Sequence, residues 1–195
     1  MMKKKLVAAA AALLALSASM LEASAFEDEI LYADYLFTGA VSVRHDSEPG
    51  KGSPVSIGIQ AGVDGYMDCF DGRLGVAGRV FENVDTDGKE RRGGLRTGLA
   101  FRQQLTPTVE GFGAGLFGVR YGSGSDAFIL YDGLDTGVEC GIRLYPASMP
   151  SIAPMFSGGV DWEFVRFHDN DRQVTFHFAC GVSFGPAVDD AHAAR

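Results

Sequence analysis

One segment of the sequence has the residue types and spacing of a hydrolytic site. His45, Asp46 and Ser47 form a His-x-Ser pattern in which the imidazole could activate the hydroxyl for acyl transfer to water. No carboxylate is fixed by its spacing to support the histidine. The same residues fit the end of a strand that enters a loop, and this simpler interpretation predicts no catalytic residue.

Two acidic segments have the residue types of a metal site. Residues 168–171 (His-Asp-Asn-Asp) offer oxygen ligands for a divalent cation. Residues 85–88 (Asp-Thr-Asp-Gly) begin like a calcium loop but lack its glutamate at position twelve. Tight polar turns explain both segments, so no metal and no cofactor are predicted.

The three cysteines do not form a recognisable framework. Cys69, Cys140 and Cys180 are odd in number, and their spacing matches neither a small disulfide scaffold nor a zinc site. We expect three unpaired thiols that behave as small apolar side chains.

The first 25 residues have the layout of an export signal. Three lysines at positions 3–5 precede an apolar run at 6–16, and Ala-Ser-Ala at 23–25 supplies a cleavage site after Ala25. The run is shorter than the ~20 residues of a transmembrane helix. Phe26 follows the cut where a lipid-anchored chain would have cysteine. The predicted division is signal peptide 1–25, N-terminal segment 26–35, barrel 36–184 and tail 185–195.

The charge balance excludes one class of partner. The formal net charge is −8, and no cluster of basic residues offers a surface for nucleic acid. Beyond the export signal only Lys51 and Lys89 are lysines, and the other basic residues are arginines. Arginine is favoured for enclosed pairing with carboxylates, so this bias indicates charges that face inward.

Most of the remaining sequence alternates with the period of a β-strand. Gln60, Gly62 and Asp64 lie on one face of residues 54–67, which we expect to line an interior. The opposite face, which we expect to contact lipid, carries Val55, Ile57, Ile59, Ala61 and Val63.

Eight such strands are predicted, and their length matches the ~9–11 tilted residues that cross a bilayer. Their spans are 36–45, 54–67, 72–82, 93–105, 108–121, 133–145, 153–167 and 172–184. Polar and mostly long connections fall at 46–53, 83–92, 122–132 and 168–171, and tighter ones at 68–71, 106–107 and 146–152. This asymmetry is typical of a membrane barrel with long outer loops and short periplasmic turns.

The polar face carries charges that nearly balance, as an enclosed space requires. The inward-facing charges predicted by alternation are Arg44, Arg79, Arg96, Arg102, Arg120 and Arg143 against Asp64, Glu110, Glu139, Asp161 and Glu163. We predict that an interior salt-bridge network closes the lumen. One group joins Arg79 and Arg96 to Glu139, Asp161 and Glu163, and a lower group contains Asp64, Arg102, Glu110 and Arg143.

The apolar face places aromatic residues near strand ends, as in the interfacial girdles of membrane barrels. They are Phe37, Phe101, Tyr121, Phe156, Trp162, Phe164 and Phe184.

With its export signal, eight strands, Gly-rich segment 111–116 and final strand ending at Phe184, the chain resembles the small eight-stranded outer-membrane β-barrels. This family includes the transmembrane domain of outer-membrane protein A, outer-membrane protein X and opacity-like proteins. The resemblance implies an all-β, antiparallel up-and-down barrel in the outer membrane of a Gram-negative bacterium, in contact with lipid and lipopolysaccharide. The charged interior of eight strands predicts no wide pore. We therefore expect a structural or adhesion-like surface-contact role, with outer loops that contact an extracellular host or envelope partner.

Two other functions remain open at this stage. A soluble, exported calycin-like barrel would bind an apolar ligand, and it would require the apolar rows to face inward. The His45-x-Ser47 spacing is similar to that of the outer-membrane lipid A deacylase, which implies a lipid A-modifying hydrolase as the other alternative.

Overall fold

The computed structural model describes residues 32–46, 53–69, 72–86, 90–123, 128–146, 151–166 and 173–185. They form eight strands: β1 (Tyr32–Asp46), β2 (Val55–Cys69), β3 (Gly72–Asp85), β4 (Arg91–Thr106), β5 (Val109–Ser123), β6 (Phe128–Leu144), β7 (Ile152–Arg166) and β8 (Gln173–Phe184). None of the described residues belongs to a helix long and apolar enough to cross a membrane.

The strands form one closed sheet. Each strand pairs antiparallel with the next along the chain, and β8 returns to pair with β1, where Tyr35 lies opposite Phe184. Closure satisfies the hydrogen-bonding groups that a first and a last strand would otherwise expose. The predicted eight-stranded antiparallel barrel is confirmed.

Several strands are longer than predicted. β1 begins at Tyr32, within the predicted N-terminal segment 26–35. β5 and β6 continue through most of the predicted loop 122–132, past a register shift between Arg120 and Gly122. Phe128–Tyr131 are aromatic and aliphatic residues with strong strand propensity, so this hairpin extends where a polar loop was expected.

The longer strands shorten the connections. Those at one end, here called the upper end, comprise residues 47–54, 86–90, 124–127 and 167–172, and those at the lower end comprise 70–71, 107–108 and 145–151. The predicted contrast between long and short connections is therefore weaker than expected. Both β1 and β8 have their free termini at the lower end.

The two faces of the wall follow the alternation seen in the sequence. Ile57 and Ile59 are about 60% exposed on the outside, and Asp64 is fully enclosed in the lumen. Val63 departs from the expectation because it is only 3% exposed. Its side chain lies across the neighbouring strand, 3.6 Å from the point that a Cβ of Gly78 would occupy, so that glycine accommodates it within the wall.

Candidate functional site: the charged lumen and the apolar outer wall

The outer wall carries a belt of exposed apolar side chains. It includes most of the predicted aromatic residues, namely Phe37, Phe101, Phe156, Trp162 and Phe184. Tyr121 is only half-buried, beside the register shift in β5, and the side chain of Phe164 lies outside the described residues. An apolar exterior of this kind suits contact with lipid.

The lumen holds charges in equal numbers. Among the described residues eight arginines and eight carboxylates are buried. They are Arg44, Arg73, Arg79, Arg92, Arg96, Arg102, Arg120 and Arg143, with Asp34, Asp64, Asp85, Glu110, Asp135, Glu139, Asp161 and Glu163. An enclosed charge is tolerated when it is paired, so the balance is what a filled lumen requires.

The lower part of the lumen holds the tightest ion pairs. We call this the lower cluster: Asp34, Asp64, Arg79, Arg102, Glu110, Glu139 and Arg143. Asp34 accepts hydrogen bonds from both Arg102 and Arg143 through one carboxylate oxygen. Arg102 also donates to both oxygens of Glu110, at 2.5 and 2.6 Å. Asp34 is therefore shared between two guanidinium groups in a region closed to solvent.

Aromatic rings pack against the arginines of the lumen. Arg102 Cζ lies 5.0 Å from the centre of the Tyr66 ring, and Arg143 Cζ lies 4.9 Å from that of Phe112. The Tyr66 hydroxyl also donates to Asp64 at 2.9 Å. These rings fill space between the charges and stabilise the guanidinium groups through cation–π contacts.

Within the lower cluster, Arg79 contacts both Asp64 and Glu139. It donates to both oxygens of Asp64 and has its Nε 3.6 Å from an oxygen of Glu139. Gln60 donates to the same Glu139 oxygen at 3.4 Å. Asp64 thus bridges Arg79 to Arg143, whose Nη2 lies 3.3 Å away.

The next charges form the upper cluster: Arg96, Arg120, Asp135, Asp161, Glu163 and His177. Arg96 donates to Asp135 at 2.6 Å and to Asp161 at 2.9 Å. The Arg120 ion pairs are longer, at 3.8 Å to Asp135 and 3.7 Å to Glu163. The pairing is therefore looser here than around Asp34.

The rim cluster closes the upper end and consists of Arg44, Ser56, Asp85, Glu90, Arg92 and Gln173. Glu90 lies 2.7 Å from Arg92 and 3.2 Å from Arg44. Burial opposes ionisation of this carboxyl, but hydrogen bonds and the charges of Arg92 and Arg44 hold its pKa below the usual value. The Glu90 side chain is 41% exposed, so this cluster meets water.

The structure places every residue of the predicted network in the lumen but groups some of them differently. Arg79 contacts Glu139, as predicted, but it also pairs with Asp64, which the prediction placed in the lower group. Arg96 does reach Asp161, and Glu163 instead faces Arg120.

The predicted lower group is present, since Arg102 and Arg143 both pair with Glu110 and Arg143 also pairs with Asp64. The prediction was wrong about Asp64 with Arg79 and about the partner of Glu163, because heights along single strands do not show which carboxylate a long arginine side chain reaches.

Several lumen charges were missed from the sequence. Asp34 and Asp85 lie beyond the predicted ends of their strands, and Arg92 lies just before a predicted start. Asp135 and Arg73 had a usable signal, because they share the alternation of Glu139 and Arg79 on their own strands.

Most residues of the segments with possible chemistry lie outside the described part of the chain. His45 is exposed on the outer wall, and Ser47 lies outside the described residues. Residues 168–171 also lie outside them, as do Asp87 and Gly88, while Asp85 accepts a 2.6 Å hydrogen bond from Ser56. The described residues contain no group of side chains able to hold a metal ion.

Two of the three cysteines are free thiols on the outer wall. Cys140 and Cys180 are exposed, whereas the sequence suggested small apolar side chains without assigning them a face. The side chain of Cys69 is outside the described set.

The calycin-like interpretation is wrong for this chain. A calycin would have its apolar rows inside, yet Ile57 and Ile59 are exposed and Asp64 and Arg102 are enclosed. The lumen offers paired charges where an apolar ligand would need an apolar cavity.

No family model and no curated protein matches the sequence. Among solved structures, Neisserial surface protein A has a TM-score of 0.54 at 16% identity, covering 79% of this chain and 96% of that one. The outer-membrane enzyme PagL has a TM-score of 0.50 at 11% identity, covering 73% of this chain and 97% of that one. At such identities the likeness establishes the fold.

Proposed function

We propose that this chain, which has the fold of the small eight-stranded outer-membrane barrels, is a non-conducting barrel that supports the envelope and contacts partners at the cell surface. In this proposal the leader is removed after Ala25, and the barrel lies in the outer membrane of a Gram-negative bacterium. Lipid and lipopolysaccharide surround its apolar wall, and the role requires no catalysis.

The charged lumen is the observation that carries the non-conducting part of the proposal. The lower cluster, the upper cluster and the rim cluster follow one another along the barrel, and their side chains occupy its interior. Eight strands leave an interior just wide enough for side chains to fill. A solute would have to separate several ion pairs in order to pass.

The orientation is proposed from the shortest connections. Residues 70–71 and 107–108 join strands at the lower end, where both barrel termini also lie, so we place that end in the periplasm and the upper end outside the cell. In this orientation the strand ends and connections around the rim cluster would contact partners outside the cell. Neisserial surface protein A, which has the same fold, is by its name a surface protein, and this supports the proposed role.

Fractionation and gel migration test the membrane assignment. We expect the protein in the outer-membrane fraction and anomalous migration until the sample is boiled. Recovery in the soluble periplasmic extract would contradict it.

Conductance tests the closed lumen. We expect no steady channels when the purified barrel is inserted in a planar bilayer. Stable openings of the wild-type barrel would contradict the non-conducting role while leaving the membrane assignment intact.

Cysteine scanning tests which face meets lipid. In a background that lacks the native cysteines, a lipid-soluble thiol probe is expected to label Ile57→Cys and Ile59→Cys. Ser42→Cys and Ser183→Cys are expected to stay unlabelled, because both serines are buried on the lumen side of the wall. The reverse pattern would overturn the assignment of the faces.

A further inference from the structure

The guanidinium groups of Arg44 and Arg92 meet at one carboxylate oxygen in the upper mouth of the lumen. Glu90 Oε2 accepts from Arg44 Nη1 at 3.2 Å and from Arg92 Nη2 at 2.7 Å. Arg44 belongs to β1 and Arg92 to β4, so the two side chains reach this oxygen from different parts of the wall. Guanidinium groups that donate to a shared anionic oxygen are a typical arrangement for binding a carboxylate or a phosphate.

Glu90 is the most accessible part of this arrangement. Its side chain is 41% exposed, whereas the two arginine side chains are 9% and 10% exposed. The backbone of connection 86–90 is held at both ends, because Asp85 N donates to Glu90 O at 3.0 Å and Thr86 N donates to Val55 O at 2.9 Å. Rotation of the Glu90 side chain toward water can therefore free the position between the arginines while the backbone stays in place.

Arg92 depends on Glu90 for a partner of opposite charge. Among the described residues, Glu90 is the one carboxylate that forms an ion pair with Arg92, whose other hydrogen bond goes to the neutral Oε1 of Gln173 at 2.5 Å. Arg44 differs, because it also reaches Asp85 at 3.4 Å. A mostly buried guanidinium requires an anionic partner. With Glu90 turned into water, the rim cluster would keep two arginines and one carboxylate, and an external oxyanion would restore its balance.

A third arginine adds positive charge to the same mouth. Arg120 of β5 faces the lumen two residues from Gly122, the cross-strand partner of Arg92, so the two arginines are diagonal neighbours on adjacent strands. Its ion pairs with Asp135 and Glu163 are long, at 3.8 and 3.7 Å. Three strands thus supply positive charge around the opening, which favours the approach of an anion.

We propose that the rim cluster binds a phosphate or sulfate ester group of a molecule outside the cell, which replaces the Glu90 carboxylate between Arg44 and Arg92. This inference names a ligand chemistry for the surface contact under the proposed function, and it rests on the same orientation. A tetrahedral oxyanion offers each guanidinium an oxygen of its own. Both arginines are buried on the lumen side of the wall, so the ligand enters from the aqueous side and not from the surrounding lipid.

Titration with a soluble phosphate ester tests the proposal. Glycerol phosphate is titrated against the barrel in phosphatidylcholine nanodiscs, at an ionic strength held constant with chloride, and binding is measured by isothermal titration calorimetry. Glycerol is the uncharged control ligand. The variants are Glu90→Gln, Arg92→Gln and Arg91→Gln. Arg91 is the matched control, because it precedes Arg92 in β4 but is exposed on the outer wall.

We expect the wild type to bind glycerol phosphate but not glycerol. Glu90→Gln removes the competing carboxylate, so the dissociation constant should fall about fivefold, whereas Arg92→Gln should raise it about fivefold. Arg91→Gln should match the wild type. Equal affinities in all four proteins, no binding to the wild type, or the same loss in both arginine variants would overturn the proposal.

A second titration identifies the source of the phosphate group. In nanodiscs that also contain lipopolysaccharide, we expect the affinity for glycerol phosphate to stay the same. Competition by lipopolysaccharide would assign the site to a lipid headgroup and overturn a ligand from the aqueous side.

The membrane assignment is judged separately. A barrel that fractionates with the outer membrane but binds no glycerol phosphate refutes this site alone. Protease cleavage that places the upper end in the periplasm refutes the orientation.

Discussion

The lower cluster and the rim cluster both pair arginines with carboxylates, but they differ in how completely water is excluded from them. Asp34, Arg102 and Arg143 have no exposed side-chain surface, whereas Glu90 in the rim cluster is 41% exposed. Removing one partner of an enclosed pair leaves an uncompensated buried charge, while a hydrated pair contributes little. The lower cluster should therefore contribute more to the free energy of unfolding than the rim cluster, and substitutions in the rim cluster should cost less.

The largest expected effect comes from Asp34→Ala, because two buried guanidinium groups share this carboxylate. Arg102 keeps Glu110 and Arg143 keeps Asp64, but each loses a buried charge-assisted hydrogen bond, so we expect a combined loss of about 3–5 kcal/mol in the free energy of unfolding. It can be measured by denaturant unfolding from lipid vesicles, followed by the fluorescence of Trp162, the only tryptophan of the chain.

Asp161→Ala is the matched control in the upper cluster. Arg96 would keep its contact with Asp135, so the expected loss is smaller, about 1–3 kcal/mol. Equal losses in the two variants would remove the distinction between the two parts of the lumen.

Leu99→Arg tests the outer wall against the lumen, since Leu99 faces outward opposite Val76 and Gly115, so no carboxylate lies directly across from it. Leu99 is 64% exposed and lies midway along β4. We expect a loss of about 2–4 kcal/mol, and about 0–1 kcal/mol for the control Leu105→Arg at the lower end of β4. A cost that does not depend on depth would contradict burial of this belt in a bilayer.

Glu139→Ala is expected to have an intermediate effect. Arg79 would retain its two contacts with Asp64, so its charge stays paired and the loss should be about 1–3 kcal/mol. Gln60→Ala, which removes only the neutral donor to Glu139, should cost less in the same unfolding experiment. A larger loss for Gln60→Ala would show that Glu139 acts mainly through its neutral partner.

Glu90→Gln should have the smallest effect, and the effect should depend on pH. The pKa of Glu90 is lowered in the folded state, because Arg92 and Arg44 favour its charged form more strongly than burial opposes it. Its contribution is therefore present above the unfolded-state value, about 4.3, and is lost as the pH falls through the lower folded-state value. The difference in unfolding free energy between wild type and Glu90→Gln should shrink in acid. A difference that grows in acid would reverse the sign of this contribution.

The sequence predicted the wall of the barrel better than its contents. Alternation over 54–67 was enough to place Ile57 and Ile59 outside and Asp64 inside, because side chains on a strand alternate by geometry alone. The inward position of Asp34 was not predicted, because the ends of a strand depend on pairing with its neighbours. The pairing of Tyr35 with Phe184 cannot be read from either segment alone.

The ion pairs inside the lumen were harder to predict than the ends of the strands. The alternation along β3 predicts that Arg79 points inward, but it does not show which carboxylate the side chain will contact. That choice depends on strand register and on side-chain length, and it brought Arg79 to Asp64 on the adjacent strand.

The pairing of the first strand with the last also constrains how the barrel is assembled. β1 cannot find β8 until nearly the whole chain is available, so the decisive contact joins residues at opposite ends of the sequence. Such long-range closure is entropically costly and makes folding slow. Unpaired strand edges are also not tolerated within hydrocarbon, so insertion and closure should proceed as one concerted step. Under the proposed localisation, the chain must then be kept from aggregating in the periplasm until all eight strands can enter the membrane together.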